Sequence, residues 1–206
     1  MLKWHTESTS LDFKSRFVEM FGDPMTNPMG WEVKPLSKIC DVRDGTHDSP
    51  EYVMEGYPLV TSKNVTSGEL NFADVNYISV EDYTQINRRS KVDNGDIIMP
   101  MIGTIGKPVI VNTERKFAIK NVALMKFNKT DVLNIYIWML LSSNYFDVIT
   151  KDHNRGGTQK FIALGDIRKL PIPLPPLSLQ HRFTDFVRQT DKSKFVMKSA
   201  YKKAKG

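Results

Sequence analysis

From Leu11 to Phe21 the stretch LDFKSRFVEMF sets apolar Leu11, Phe13, Phe17, Val18 and Phe21 at helical spacings, and GDPMTNPMG follows with Gly22, Pro24 and Pro28. That pattern predicts a short amphipathic helix ending in a turn. Between Trp31 and Phe127 the period changes. PLVTSKNV, GELNF, VNYIS, GDIIMPM, KPVIV and NVALMKF are short β-branched or aromatic runs separated by Gly, Asn and Asp, which predicts strands and turns. One segment departs from it: SVEDYTQIN, with Ser79 placed as an N-cap and Asp82 in the first turn, predicts a helix. Leu133 to Ile149 is apolar on most sides and predicts a helix inside the core, with Trp138 and Tyr145 as core residues.

KLPIPL reads as one more strand. Pro171, Pro173, Pro175 and Pro176 then forbid a helix until Ser178, the expected cap of the last one. Beyond it Leu179, Phe183, Phe186, Thr190, Ser193, Met197 and Ala200 alternate steps of four and three. This is a heptad seam that asks for another helix. About 25 residues at 1.5 Å each make a rod of roughly 37 Å, too polar on its other faces to stand uncovered. The expected fold is mixed α/β, α+β in layout. It divides into an N-terminal helix over 1–22, a β-rich domain over 23–176 and a long coiled-coil-like helix over 177–206.

The 206 residues carry 29 Lys and Arg against 23 Asp and Glu, a net charge of +6, which favours an anionic partner such as nucleic acid. Cys40 is the single cysteine, so no intrachain disulfide forms, and His5, His47, His153 and His181 lack zinc-site spacing. A reducing, cytoplasmic setting is expected. The longest apolar run, IYIWMLL, falls far short of the roughly 18 residues of a membrane span, and the polar start MLKWHTESTS does not resemble a signal peptide.

Catalytic motifs are scarce. NPMG at Asn27–Gly30 lacks the second proline and the aromatic of a base-methylation tetrad, and IGTIGK at Ile102–Lys107 lacks the phosphate-loop spacing. The strongest catalytic alternative is a metal-dependent nuclease built on Asp96, Glu114 and Lys116, two carboxylates for a divalent ion and a lysine to assist attack on phosphate. A coiled-coil interaction protein without DNA binding is the other alternative. Basic side chains recur in expected loops beside amides and hydroxyls, which is the mixture that neutralises phosphates and bonds base edges. The candidates are Lys63, Asn64, Thr104, Lys107, Arg115, Lys120, Arg155, Thr158, Gln159 and Lys160.

FVEMFGDPMTNPMGWEV, DGTHDSPEYVMEGYPLVTSKNV, GDIIMPMIGTIG and GGTQKFIALGDIRKLPIPLPPLSLQ, with the helix after them, resemble the specificity subunit of Type I restriction-modification systems, in order from Lys14 onward. The resemblance implies a non-catalytic DNA-recognition protein. In that family two target recognition domains each read half of a split DNA site and are joined by two long helices that bind methyltransferase (M) subunits. One such domain and one full helix are visible here, so the chain resembles a half-length or truncated specificity subunit. The implied partners are double-stranded DNA, M subunits, restriction (R) subunits, and a second copy or another specificity (S) fragment. S-adenosylmethionine would belong to the methyltransferase, with no cofactor in this chain. RGGTQK would lie at the DNA-facing edge, with Gly156 and Gly157 allowing close backbone approach. Phe17, Phe21, Leu179, Phe183, Phe186, Thr190 and Met197 would form the partner or dimer helix surface, with Phe17, Val18 and Phe21 packing on the long C-terminal helix of this chain or of a second copy.

Overall fold

The structure, a computed structural model, describes residues 7–65, 68–103, 105–127, 130–151 and 161–204, the segments 7–11 and 191–204 as backbone helix only. In chain order the elements are α1 (Glu7–Phe21), β1 (Glu32–Pro35), β2 (Asp41–Asp44), β3 (Tyr57–Val60), β4 (Asn76–Ile78), α2 (Val80–Ser90), β5 (Ile97–Pro100), β6 (Val109–Ile110), β7 (Ala118–Ile119) and β8 (Val122–Lys126). They continue with α3 (Asn134–Leu141), α4 (Asn144–Ile149), α5 (Leu164–Arg168), β9 (Pro171–Leu174) and α6 (Leu177–Ala204), and short 3-10 turns lie at Leu36–Lys38 and Ser62–Asn64.

The central layer is the sheet β2-β8-β5-β6, antiparallel throughout. Its middle strands are apolar along nearly their whole length, with Ile97 to Met99 and Val122 to Met125 all at 0% exposure, because both faces are covered. Alternation divides them. Ile97, Met99, Ala123 and Met125 join the cluster that holds the helices, while Ile98, Val122 and Leu124 join the one holding Val60 and Ile119 of a second sheet, β4-β3-β7. In that second sheet β3 and β7 run parallel. β1 and β9 pair antiparallel as a separate ribbon.

On the helical side four aromatic rings meet. Phe17 lies 5.4 Å from both Tyr136 and Phe183, and Phe21 lies 5.0 Å from Tyr136 and 5.5 Å from Phe183. The Tyr136 hydroxyl donates to the Pro173 carbonyl at 2.7 Å, tying α3 to β9. Phe17, Phe21 and Phe183, expected as a partner or dimer surface, are 2%, 3% and 0% exposed within one chain and are core residues. α1 therefore covers the early seam of α6, with Leu179 and Phe186 partly buried against the same cluster. Val18, expected on the buried side, is half exposed. The Thr190 hydroxyl bonds back to the Phe186 carbonyl at 2.9 Å. The Met197 side chain lies outside the described residues.

Several boundaries differ from the sequence reading for local reasons. The helix expected over 133–149 is two, broken at Ser142–Ser143, where the Ser143 hydroxyl accepts from the Tyr145 amide at 3.3 Å and starts α4. α6 begins at Leu177 rather than after Ser178, since the Pro176 carbonyl already accepts from the Leu179 and Gln180 amides. Buried Gln180 secures this start: its amide accepts from the Leu133 N–H at 2.9 Å and donates to the Pro175 carbonyl at 2.9 Å. GELNF forms no strand; the 3-10 turn at Ser62–Asn64 bends the chain out of the sheet before it, and the Asn71 amide folds the loop back onto the Asn64 carbonyl at 2.9 Å.

Lys126 closes the far end of β8. Its ammonium meets Asp96 at 2.6 Å, Asp93 at 2.9 Å and the Lys91 carbonyl at 3.0 Å. Lys91 also donates to Asp93, and that bond, more than Lys126, holds the Asp93 carboxyl down at about 2 against its ordinary 3.8, despite an opposing push from burial.

Two outcomes are expected. Phe183→Ala should lower the free energy of unfolding by about 3–5 kcal/mol in urea titrations, the cost of a large buried aromatic. Because the Asp93 carboxyl is depressed on folding, its contribution is fully present above pH 3.8 and is lost as pH falls toward about 2. Acid titration of the urea midpoint should show that loss, and Asp93→Asn should remove its part of the slope.

Candidate nucleic-acid interface

The sheet β4-β3-β7 is extended at both edges by one segment. Thr46 pairs in parallel with Lys120 beyond β7, and Val53 pairs with Tyr77 on the outer side of β4. The chain from Thr46 to Val53 thus crosses the full width of the sheet. Four interstrand gaps of about 4.8 Å make roughly 19 Å, and seven residue steps of about 3.3 Å reach roughly 23 Å, so this strap is nearly taut. Glycines allow both anchorages. A Cβ on Gly45 would lie 2.2 Å from the Ile119 carbonyl oxygen, and one on Gly56 would lie 2.2 Å from that of Ile78.

A polar knot holds the Thr46 end. Asn121 sits at φ +54, its amide N–H donating to the Thr46 carbonyl at 3.1 Å and its own carbonyl accepting from the Ser62 hydroxyl at 3.3 Å. Its side-chain oxygen meets Nδ1 of His47 at 2.8 Å, while Nε2 of His47 lies 2.7 Å from the Asp44 carboxylate. The other oxygen of Asp44 is bound by Arg89 of α2. The Asp44 side chain is 8% exposed, whereas those of His47 and Arg89 are 60% and 66% exposed. A buried carboxylate therefore fixes two outward-facing side chains.

The expected DNA contacts are distributed around this sheet. Lys63, in the turn after β3, pairs with Asp74 at 3.1 Å. Arg115 lies over the Phe72 ring at 4.6 Å and donates to the Tyr77 hydroxyl at 3.4 Å. Lys120 donates to Ser49 of the strap at 2.6 Å. Lys107 is exposed but stands apart, on the β5–β6 connection at the edge of the central sheet opposite β2. Asn64 is a structural residue rather than a DNA contact. At 4% exposure, its amide accepts from the Thr61 N–H and hydroxyl and donates to the Asp74 carbonyl at 2.8 Å. Thr104, Arg155, Thr158, Gln159 and Lys160 lie outside the described residues.

Nothing supports the nuclease alternative. Asp96 is 1% exposed and committed to Lys126, while exposed Glu114 accepts from Asn94 at 3.0 Å. Among the described residues no three metal-binding side chains come together. Sequence reasoning missed the Asp44, His47, Arg89 and Asn121 knot; the run DGTH was its only local trace.

The sequence family described as the Type I restriction modification DNA specificity domain matches residues 28–203. The chain is 28% identical over 175 residues to the putative type I restriction enzyme MjaX specificity subunit of Methanocaldococcus jannaschii, covering 80% of this chain and 40% of that protein. To the Type I restriction enzyme EcoBI specificity subunit of Escherichia coli it is 24% identical over 183 residues, covering 86% and 38%. Its fold is similar to the crystal structure of the HsdS subunit from Thermoanaerobacter tengcongensis, with a TM-score of 0.65 at 18% identity over 94% of this chain and 46% of that one. The chain spans less than half the length of each.

The two neighbours Lys63 and Asn64 should separate cleanly. Asn64→Ala leaves the Thr61 donors and the Asp74 carbonyl without their partner and should cost about 2–4 kcal/mol in chemical denaturation. Lys63→Ala, which removes an exposed ion pair, should change stability by under about 0.5 kcal/mol.

Proposed function

The chain belongs to the Type I restriction modification DNA specificity family, and we propose that it is the non-catalytic, sequence-reading subunit of a Type I restriction-modification complex. The observation that carries the reading is the family match over residues 28–203. In support, Lys63, Arg115 and Lys120 lie at the turns and edges of one sheet, beside amides and hydroxyls, where phosphate contact and base contact are both within reach of side chains. The partners in this reading are double-stranded DNA and methyltransferase subunits, with restriction subunits completing the complex. Methyl transfer, and the S-adenosylmethionine it consumes, lie in the methyltransferase.

α6 is proposed as the docking rod. Its early seam is already covered by α1, so docking falls to the part beyond Thr190, the stretch DKSKFVMKSAYKKA. That part would take a methyltransferase helix or pair with a second specificity domain, and a pair of domains related by a two-fold axis would read inverted half-sites at a spacing set by the rod.

Sequencing of modified bases in cells that co-express this chain with its methyltransferase subunit should reveal one defined methylated motif that disappears without the chain; methylation at no defined motif overturns the proposal. Combined Lys63→Ala, Arg115→Ala and Lys120→Ala should weaken binding to all duplexes alike and flatten the salt dependence by about 0.9 unit per lost phosphate contact. Met197→Asp should release the partner of α6, read as a fall in assembled mass by light scattering.

A further inference from the structure

Between the strap and α2 lies a cleft of about 390 Å³, lined by Asp48 and Ser49 on one side and by Asp82, Gln85, Ile86 and Arg89 on the other. We propose that this cleft is where the chain reads DNA by sequence, accepting a base edge that presents an exocyclic amino group, adenine or cytosine, in the major groove. The inference rests on the DNA-recognition reading above and adds to it the element that reads and the chemistry it selects.

Three observations carry it. The first is rigidity. α2 is capped by Ser79, which accepts from the Asp82 amide at 3.0 Å, and its other end is held by Arg43, which donates to the Arg89 carbonyl at 2.7 Å, and by the Arg89–Asp44 pair. Its inner face packs Tyr83 and Ile86 on Leu59, Ile78 and Ala118, and Tyr83 stacks on Tyr57 at 3.8 Å. The opposite wall is the taut strap. Both walls hold their backbone in place before any ligand arrives, which lowers the ordering cost of recognition.

The second is the acceptor set. Asp48 and Asp82 would repel a phosphate, which excludes the DNA backbone from the interior. Carboxylates accept from the amino groups of cytosine or adenine, and Gln85 can bond adenine with both ends of its amide. The third is position. Gln85, Arg88 and Arg89 are all exposed on one face of α2, and Lys120 is tied to Ser49 at the strap's end of the cleft. Acceptors in the cleft, with Arg88 and Lys120 at its margins, match a groove, whose amino groups lie between two lines of phosphates.

The test uses the complex of the full chain with its methyltransferase subunit and a library of duplexes randomised across the half-site. Gln85→Ala and Asp48→Ala change exposed side chains, so far-UV circular dichroism should match the parent. Each should weaken binding to the parent's preferred site by about tenfold, relax selection at one or two adjacent base pairs, and leave the salt slope unchanged. Arg88→Ala should instead weaken all duplexes about equally and lower the salt slope by about one unit. Selection by both cleft variants identical to that of the parent overturns the cleft assignment and leaves the DNA-reading function standing. A parent complex that selects no sequence at all overturns both.

Discussion

A four-stranded sheet whose middle strands are apolar on both faces must be covered twice, and the whole molecule follows from that requirement. One cover is helical. α1, α3 and α6 meet over Ile97, Met99 and Met125, and the contact among Phe17, Phe21, Tyr136 and Phe183 fixes the three against one another. The other cover is the small sheet β4-β3-β7, which spends Val60 and Ile119 inward and so turns Leu59, Ile78 and Ala118 outward. Those three need a lid of their own, and α2 supplies it. The layers thus grow outward from the core until they reach a helix with one polar face, and there the candidate chemistry collects.

Elements with a strong local signal were legible in the sequence. The Ser79–Asp82 cap foretold α2 to within a few residues, and the runs around Ile98 and Leu124 foretold β5 and β8. β1, β2 and β7 were not legible, being two to four residues long and defined by partners distant in the chain. The seam of α6 shows a different limit. A heptad pattern announces that a helix will be covered and is silent about what covers it, and Phe17 and Phe21 of the same chain do so for the first turns. The split of the 133–149 helix was within reach of the sequence, since Ser142 and Ser143 interrupt its apolar run and Ser143 has a side chain suited to capping.

At the site, composition pointed to a kind of chemistry and could not assign it to residues. Lys63 and Asn64 are neighbours of the types that contact DNA, yet one faces solvent and the other is buried as the internal brace of its turn. An amide that serves its own loop and one that awaits a base look alike in a sequence. The Asp44 knot was hidden for a related reason. Arg89 is 45 positions from Asp44 and Asn121 is 74 from His47, so only the folded sheet brings them together.

The way these cations are held bears on how such a surface would discriminate. Lys63 and Lys120 each keep an internal partner near the surface, the Asp74 carboxylate or the Ser49 hydroxyl, whereas Arg89 is held by the buried Asp44 carboxylate, which would be left unpaired in any exchange. Exposed pairs like the first two are worth about 0–1 kcal/mol, so exchanging one for a phosphate costs little, and the side chain is already ordered for the exchange. The net charge of +6 is spread over 29 basic and 23 acidic residues, and two of those acids line the proposed reading cleft. Counterion release, which would drive sequence-independent binding, scales with the number of phosphates these cations neutralise rather than with the net charge of the chain. In the proposed reading, acceptors in the cleft would add affinity only for the correct bases, which would raise the ratio of specific to non-specific binding on which target selection depends.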